Sequence, residues 1–106
     1  MNSEFDEMEG SLYIKFKEDI DHHTTEKIRR SIDNEITRFM PRKVIFDFSR
    51  ISFMDSAGIG LLIGRYKLTR MLGGATEIIN VNKSIKKVLE MSGIVKIIRI
   101  KETQNV

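Results

Sequence analysis

The feature that most constrains this chain is the alternation of short apolar segments with longer amphipathic segments. Val44-Ile45-Phe46-Asp47-Phe48 is rich in β-branched and aromatic residues and is too short for a helix, so it predicts a buried strand. The longer segments repeat apolar residues every three or four positions, as amphipathic helices do. Strands joined by helices of about ten residues or more need crossover connections, which predicts a largely parallel sheet. We therefore predict the α/β fold class, in a single domain over residues 1–106.

An antiparallel hairpin is predicted at the beginning of this mixed, mostly parallel sheet. Leu12, Ile14 and Phe16 alternate with polar or amphipathic residues, which is the pattern of a strand with one exposed face. Three main helices follow. In chain order, the predicted strands are 5–8, 12–17, 43–48, 75–81 and 95–100, and the predicted helices run from the polar stretch 21–25 to Pro41, from Ser56 to about Leu72, and from Asn82 or Lys83 to Gly93.

Ser56 lies at the junction between the third strand and the second helix, and it is the candidate functional residue. The apolar positions Ile59, Leu62, Ile63 and Tyr66 begin a helical pattern just after it. Ser56 is therefore a predicted N-cap, with its hydroxyl beside the unpaired backbone N–H groups of the first turn. Because the helix dipole favours negative charge there, this position would tolerate a phosphate group.

The residues alone leave several roles open for this serine. It is either an ordinary N-cap, a nucleophile or a phosphoacceptor. The nucleophile of a hydrolase elbow follows a glycine by two positions, and Met54 stands at that position here. The histidines His22 and His23 are adjacent, and one of them is the candidate base for a hydrolase. A small-ligand or nucleotide-binding domain is a further alternative.

Several motifs between Asp21 and Arg99 together resemble one known family. They are Asp21-His22-His23-Thr24, Phe53-Met54-Asp55-Ser56 followed by Gly58-Ile59-Gly60, Gly64-Arg65-Tyr66-Lys67, and Met91-Ser92-Gly93 with Lys96-Ile97-Ile98-Arg99. This combination is similar to that of the bacterial STAS-domain anti-sigma factor antagonists, in particular those of the sporulation branch. The resemblance covers nearly the whole chain.

The resemblance implies the STAS fold and a regulatory function without catalysis. In this family the unphosphorylated antagonist binds an anti-sigma factor, which is a nucleotide-bound serine kinase, and the sigma factor is released. The kinase phosphorylates the serine that follows the aspartate, here Ser56, and a serine phosphatase reverses the modification. A second serine found in relatives is replaced by Ala57, which leaves Ser56 as the acceptor. ATP and magnesium belong to the partners, so no cofactor is expected. A STAS module of a general stress pathway is the alternative within the family.

Partner binding is expected around Ser56. Gly58 and Gly60 would give the kinase access to the hydroxyl, and Met54 is expected to be partly exposed. The resemblance places the loop of Asp21 beside the phosphoacceptor, although a plain helix cap explains this aspartate equally well. The predicted partner-binding residues are Asp21, Met54, Asp55, Ser56, Ala57, Gly58, Ile59 and Gly60.

Composition narrows the functional classes. The chain has no cysteine, which excludes disulfides and thiolate metal sites, and two adjacent histidines rarely share one metal ion, so no metal site is predicted. No apolar run approaches the ~20 residues that a bilayer span needs, and the acidic N-terminus lacks the features of a signal peptide. A cytoplasmic location without membrane contact is therefore expected. The net charge of +3 is spread along the chain, and there is no tryptophan, which argues against a nucleic-acid partner.

Overall fold

The computed structural model describes residues 1–101, in which a five-stranded sheet is combined with three α-helices. The elements confirm the predicted alternation. In chain order they are β1 (Asn2–Asp6), β2 (Ser11–Lys15), α1 (Thr25–Phe39), β3 (Lys43–Asp47), α2 (Ser56–Met71), β4 (Ala75–Ile79), α3 (Lys83–Ser92), a 3₁₀ turn (Ile94–Lys96) and β5 (Arg99–Lys101).

The order of the strands in the sheet is the order in the chain. β1 is antiparallel to β2, and β2, β3, β4 and β5 are parallel to one another. The predicted α/β class, with an N-terminal antiparallel hairpin and a mostly parallel sheet, is therefore confirmed. None of the helices in residues 1–101 has both the length and the apolar character that crossing a bilayer requires.

The apolar core lies on one face of the sheet. Leu12 pairs in register with Val44, and Ile14 pairs with Phe46, and all four side chains are fully buried. Side chains from each helix join the same core, so the helices cover this face. The helical members are Ile32 and Ile36 of α1, Leu61 and Leu62 of α2, and Ile85 and Leu89 of α3.

A buried ion pair ties α2 to α1. The Nε atom of Arg65 lies 2.6 Å from the Oδ1 atom of Asp33, so the guanidinium and the carboxylate form an ion pair. Burial lowers the pKa of the Arg65 guanidinium, while the charge of Asp33 opposes that shift. The ion pair helps to fix the position of α2 against α1. It therefore also helps to fix the position of Ser56, the first residue of α2.

The C-terminal strand is the element that the pattern predicted least well. A strand was expected over 95–100, but Ile94–Lys96 forms a 3₁₀ turn and β5 is only Arg99–Lys101. The buried residues Ile94 and Ile98 are four positions apart, and the N–H of Ile98 donates to the carbonyl of Ile94 at 2.9 Å. A spacing of four puts both side chains on the same side of a helical turn, so the continuous apolar run was a misleading strand signal.

Smaller corrections concern the element ends. β1 occupies Asn2–Asp6 instead of 5–8, and α1 begins at Thr25, after a turn that contains Asp21. Three methionines at the C-terminal ends of the helices are exposed. They are Met40, Met71 and Met91.

Replacing Gly74 with alanine is expected to destabilise the fold. The new Cβ would press against the backbone carbonyl oxygens of Pro41 and Arg42, which have less freedom to move than the end of a side chain. Overpacking of this kind costs about 1–3 kcal/mol. Urea unfolding followed by circular dichroism measures the loss. The matched control is Gly64→Ala, whose Cβ would meet no other group within 4 Å and which should keep or raise stability. Equal stability of the two variants would contradict the close approach at Gly74.

Candidate functional site

Three loops meet at the carboxyl ends of the parallel strands. β2 lies beside β3 and runs parallel to it, so both strands end at the same edge of the sheet. The residues that follow β2, which include Asp19 and Asp21, therefore lie on the same side of the sheet as the loop that leads from β3 to Ser56. A parallel bridge between Ile20 and Met54 joins the two loops directly. Functional sites of parallel α/β sheets commonly lie at this edge.

Asp19 holds the loop that precedes Ser56. Its carboxylate accepts hydrogen bonds from the backbone N–H of Ser52 at 2.7 Å, from the N–H of Phe53 at 3.1 Å and from the Ser52 hydroxyl at 2.9 Å. The backbone bond from Ser52 is the main reason that the pKa of Asp19 lies below its ordinary value. Sequence reasoning missed Asp19, because the two segments are 33 residues apart and meet only after β2 and β3 pair.

A second attachment comes from the loop after β4. The side-chain amide of Asn82 donates to the carbonyl of Ile51 at 3.0 Å, and its oxygen caps α3 by accepting from the N–H of Ile85 at 2.8 Å. The amide of Asn80 donates to the Asp47 carboxylate at 3.1 Å. The loop between β3 and α2 is thus held from both sides.

Asp55, and not Ser56, is the N-cap of α2. Its carboxylate accepts from the N–H groups of Ala57 at 2.9 Å and Gly58 at 3.3 Å. The helix begins at Ser56, as predicted, but Ser56 is its first residue and does not cap it. Aspartate and serine are both good N-caps, so their order in the sequence did not decide which of them would cap.

The Ser56 side chain is exposed to solvent. Within residues 1–101 its hydroxyl makes no hydrogen bond, so neither His22 nor His23 is hydrogen-bonded to it as the base of a nucleophilic serine would be. The two histidine rings instead lie against each other at a tilt of 36°, with centroids 4.1 Å apart. The same part of the chain contains no cluster of three or more histidine and carboxylate side chains suited to a metal ion.

Met54 was predicted to be partly exposed, and this is wrong, because only 5% of it is accessible. Its side chain lies beneath Gly58, where a Cβ would overlap it. The glycine therefore allows α2 to start directly over Met54, and the prediction that Gly58 gives access to the hydroxyl is also wrong. The exposed apolar residue of the loop is Phe53, with 57% of its surface accessible. No alternation in the sequence could have identified it, because Ser52 and Phe53 are both exposed between the buried residues Ile51 and Met54.

The other predicted partner-binding residues differ in exposure. Gly60 is exposed, and a Cβ added to it would meet no other group within 4 Å, whereas Ala57 and Ile59 are half-buried and Ile59 packs against the core. Asp21 is half-buried, and its carboxylate accepts from the N–H groups of His23 at 2.9 Å and Thr24 at 3.1 Å. These bonds, chiefly the one from Thr24, lower the pKa of Asp21.

Known proteins share this fold over nearly its whole length. The family model described as STAS domain matches residues 2–105. A relative from Paenibacillus polymyxa named anti-sigma F factor antagonist is 33% identical over 101 residues, which cover 95% of this chain and 86% of the relative. The solved structure of the anti-sigma factor antagonist SpoIIAA in its unphosphorylated form has a TM-score of 0.74 and 27% identity, over 97% of this chain and 88% of that chain. The Bacillus cell fate determinant SpoIIAA in its phosphorylated form has a TM-score of 0.73 and 29% identity, over 98% and 91%.

Adding a methyl group at Gly58 and at Gly60 is expected to have opposite effects on stability. Gly58→Ala should lower the free energy of unfolding by about 1 kcal/mol, because overpacking against Met54 outweighs the better helix propensity of alanine. Gly60→Ala gains the propensity without a clash and should keep or raise stability. Thermal unfolding of both variants gives the comparison. A stabilised Gly58→Ala variant would mean that α2 does not start so close to Met54.

Acid should loosen the loop as Asp19 becomes protonated. The pKa of its carboxyl is lowered in the fold, so the stabilisation is complete above the unfolded value of about 3.9 and is lost as the pH falls through the lower folded value. The amide NMR signals of Ser52 and Phe53 should therefore shift with a midpoint below that of an ordinary aspartate. The control is Asp19→Asn, which keeps an acceptor oxygen and should show no such titration. A midpoint at or above about 4 would contradict the three hydrogen bonds.

Proposed function

The chain belongs to the STAS-domain family, and from that premise we propose that it is an anti-sigma factor antagonist. Its unphosphorylated form binds an anti-sigma factor that is a serine kinase with a bound nucleotide, and the sigma factor is released. The kinase in turn phosphorylates Ser56, which ends the interaction, and a serine phosphatase restores the active form. The protein would act in the cytoplasm, in control of transcription of the sporulation type.

The observation that carries this proposal is the exposure of Ser56 at the beginning of α2. A kinase can transfer a phosphoryl group only to an oxygen that it can reach, and this oxygen is neither buried nor used as a helix cap. The neighbouring Asp55 carries out the capping, so the fold does not depend on a free Ser56 hydroxyl. Modification of this residue is therefore compatible with a folded domain.

The electrostatics explain how one phosphate would change binding and leave the fold intact. Phosphorylation adds about −1.5 to −2 charges. The N-terminus of α2 favours this charge by about 0.3–1 kcal/mol, and repulsion from the Asp55 carboxylate is of similar size. The two effects nearly cancel in the free domain. In a protein interface without a cation to pair with it, the phosphate would be desolvated without compensation, which costs several kcal/mol.

Substitutions at Ser56 test the proposal. Ser56→Ala should bind the anti-sigma factor kinases of the chain's own organism in the presence of nucleotide, and it should accept no phosphate from ATP. Ser56→Asp should bind at least a hundredfold more weakly, or about 2.7 kcal/mol, with an unchanged melting transition. Isothermal titration calorimetry measures binding, and mass spectrometry locates the phosphate.

Ser84 offers a matched control for these substitutions. It is exposed and lies in the first turn of α3, so Ser84→Asp adds the same charge at another helix N-terminus. Ser84 follows the loop of Asn82 at the same edge of the sheet, so Ser84→Asp should weaken binding much less than Ser56→Asp does, because it does not touch the phosphoacceptor itself. Phosphate found at a residue other than Ser56, or no phosphate from any of the kinases, would overturn the proposed switch. Unfolding of Ser56→Asp would show that the charge cancellation is wrong.

A further inference from the structure

Phe53 is the exposed aromatic residue of the loop that leads to Ser56. Several large apolar side chains of residues 1–101 are exposed, and Phe53 is the aromatic one among them. Its neighbour Met54 points into the core instead. An aromatic ring left in water is unfavourable for a free domain, and aromatic side chains dominate the energetics of many protein interfaces.

The backbone beneath the ring is held on both sides. On one side, the N–H groups of Ser52 and Phe53 donate to the Asp19 carboxylate at 2.7 and 3.1 Å. On the other side, Met54 is buried and forms the bridge with Ile20. A ring on such a fixed backbone loses little conformational freedom when it docks, so more of the favourable burial energy remains for binding.

The position of Phe53 links it to the reaction at Ser56. Three residues of extended chain span at most about 10–11 Å, so the Cα atoms of Phe53 and Ser56 are no farther apart than this. A standard protein interface buries about 800 Å² on each partner, a patch that is considerably wider than this distance. A protein that brings its phosphoryl donor to the Ser56 hydroxyl will therefore cover the Phe53 ring as well.

We propose that Phe53 is the apolar anchor of the surface around Ser56 and inserts into an apolar pocket of the kinase. This inference rests on the proposed function and adds to it the chemistry of the partner's surface. The pocket must be lined by aliphatic or aromatic side chains and be large enough for a phenyl ring. The sequence predicted Met54 as a partner-binding residue of this loop. Phe53 takes that role in the present inference, because Met54 is buried.

Substitution of the ring tests the anchor. Phe53→Ala should weaken binding to the kinase at least tenfold, and Phe53→Leu, which keeps part of the apolar surface, should weaken it less. The matched control is Met8→Ala, since Met8 is 98% exposed and lies in the turn before β2, at the opposite end of the parallel strands. Its binding should not change. Calorimetry gives the dissociation constants, and thermal unfolding shows that each variant is folded.

The outcomes separate this inference from the proposed function. If the unmodified chain binds the kinase and is phosphorylated on Ser56, but Phe53→Ala binds equally well, the anchor is wrong and the proposed function stands. If the unmodified chain binds none of the kinases, both are overturned. A second copy of this chain is the other molecule that could cover the Phe53 ring, and analytical ultracentrifugation would detect such a dimer. A dimer that is lost in Phe53→Ala would assign the ring to self-association and would overturn the anchor.

Discussion

The parallel pairing of β2 with β3 is the constraint on which the rest of the site depends. The register sets Lys15 beside Asp47, so the loops that leave the two strands start side by side. Asp19 can then reach the next loop and accept from two of its backbone N–H groups and one hydroxyl. A carboxylate satisfied in this way stays ionised and holds the loop firmly. Because α2 follows this loop directly, the position of the loop also fixes the position of the first turn of α2.

The residues from Phe53 to Ser56 divide two tasks between them. Phe53 and Ser56 face the solvent, while Met54 packs into the core and Asp55 caps α2. The residues that stabilise the fold are therefore different from those that a partner can touch. A change at an outward-facing residue alters the surface with little effect on the core, as the proposed switch requires. Gly58 belongs with the inward-facing group, because its missing side chain leaves room for Met54.

Local patterns predicted those parts of the fold that depend on short-range periodicity. The order and types of the elements, the hairpin and the start of α2 at Ser56 follow from apolar spacing and chain length. The last strand was predicted to begin too early, at residue 95, because a continuous apolar run has no period, and the burial of Ile94 and Ile98 selected a helical turn before β5. The exposure of Met54 was misjudged for a related reason. Met54 stands next to a polar turn, which suggested an exposed side chain. The bridge between Met54 and Ile20, two segments that are distant in the chain, accompanies the burial of this side chain.

The sequence by itself determined the α/β class, the motifs that resemble the family, and Ser56 as the candidate residue, because these depend on neighbours along the chain. The tertiary structure alone decided that Asp19 supports the loop, that Asp55 caps α2, and that Phe53 and not Met54 faces outward. The physical reason is that side-chain direction and hydrogen-bond partners in a loop are set by segments distant in the chain. For this site, those segments come together only when the parallel strands have paired.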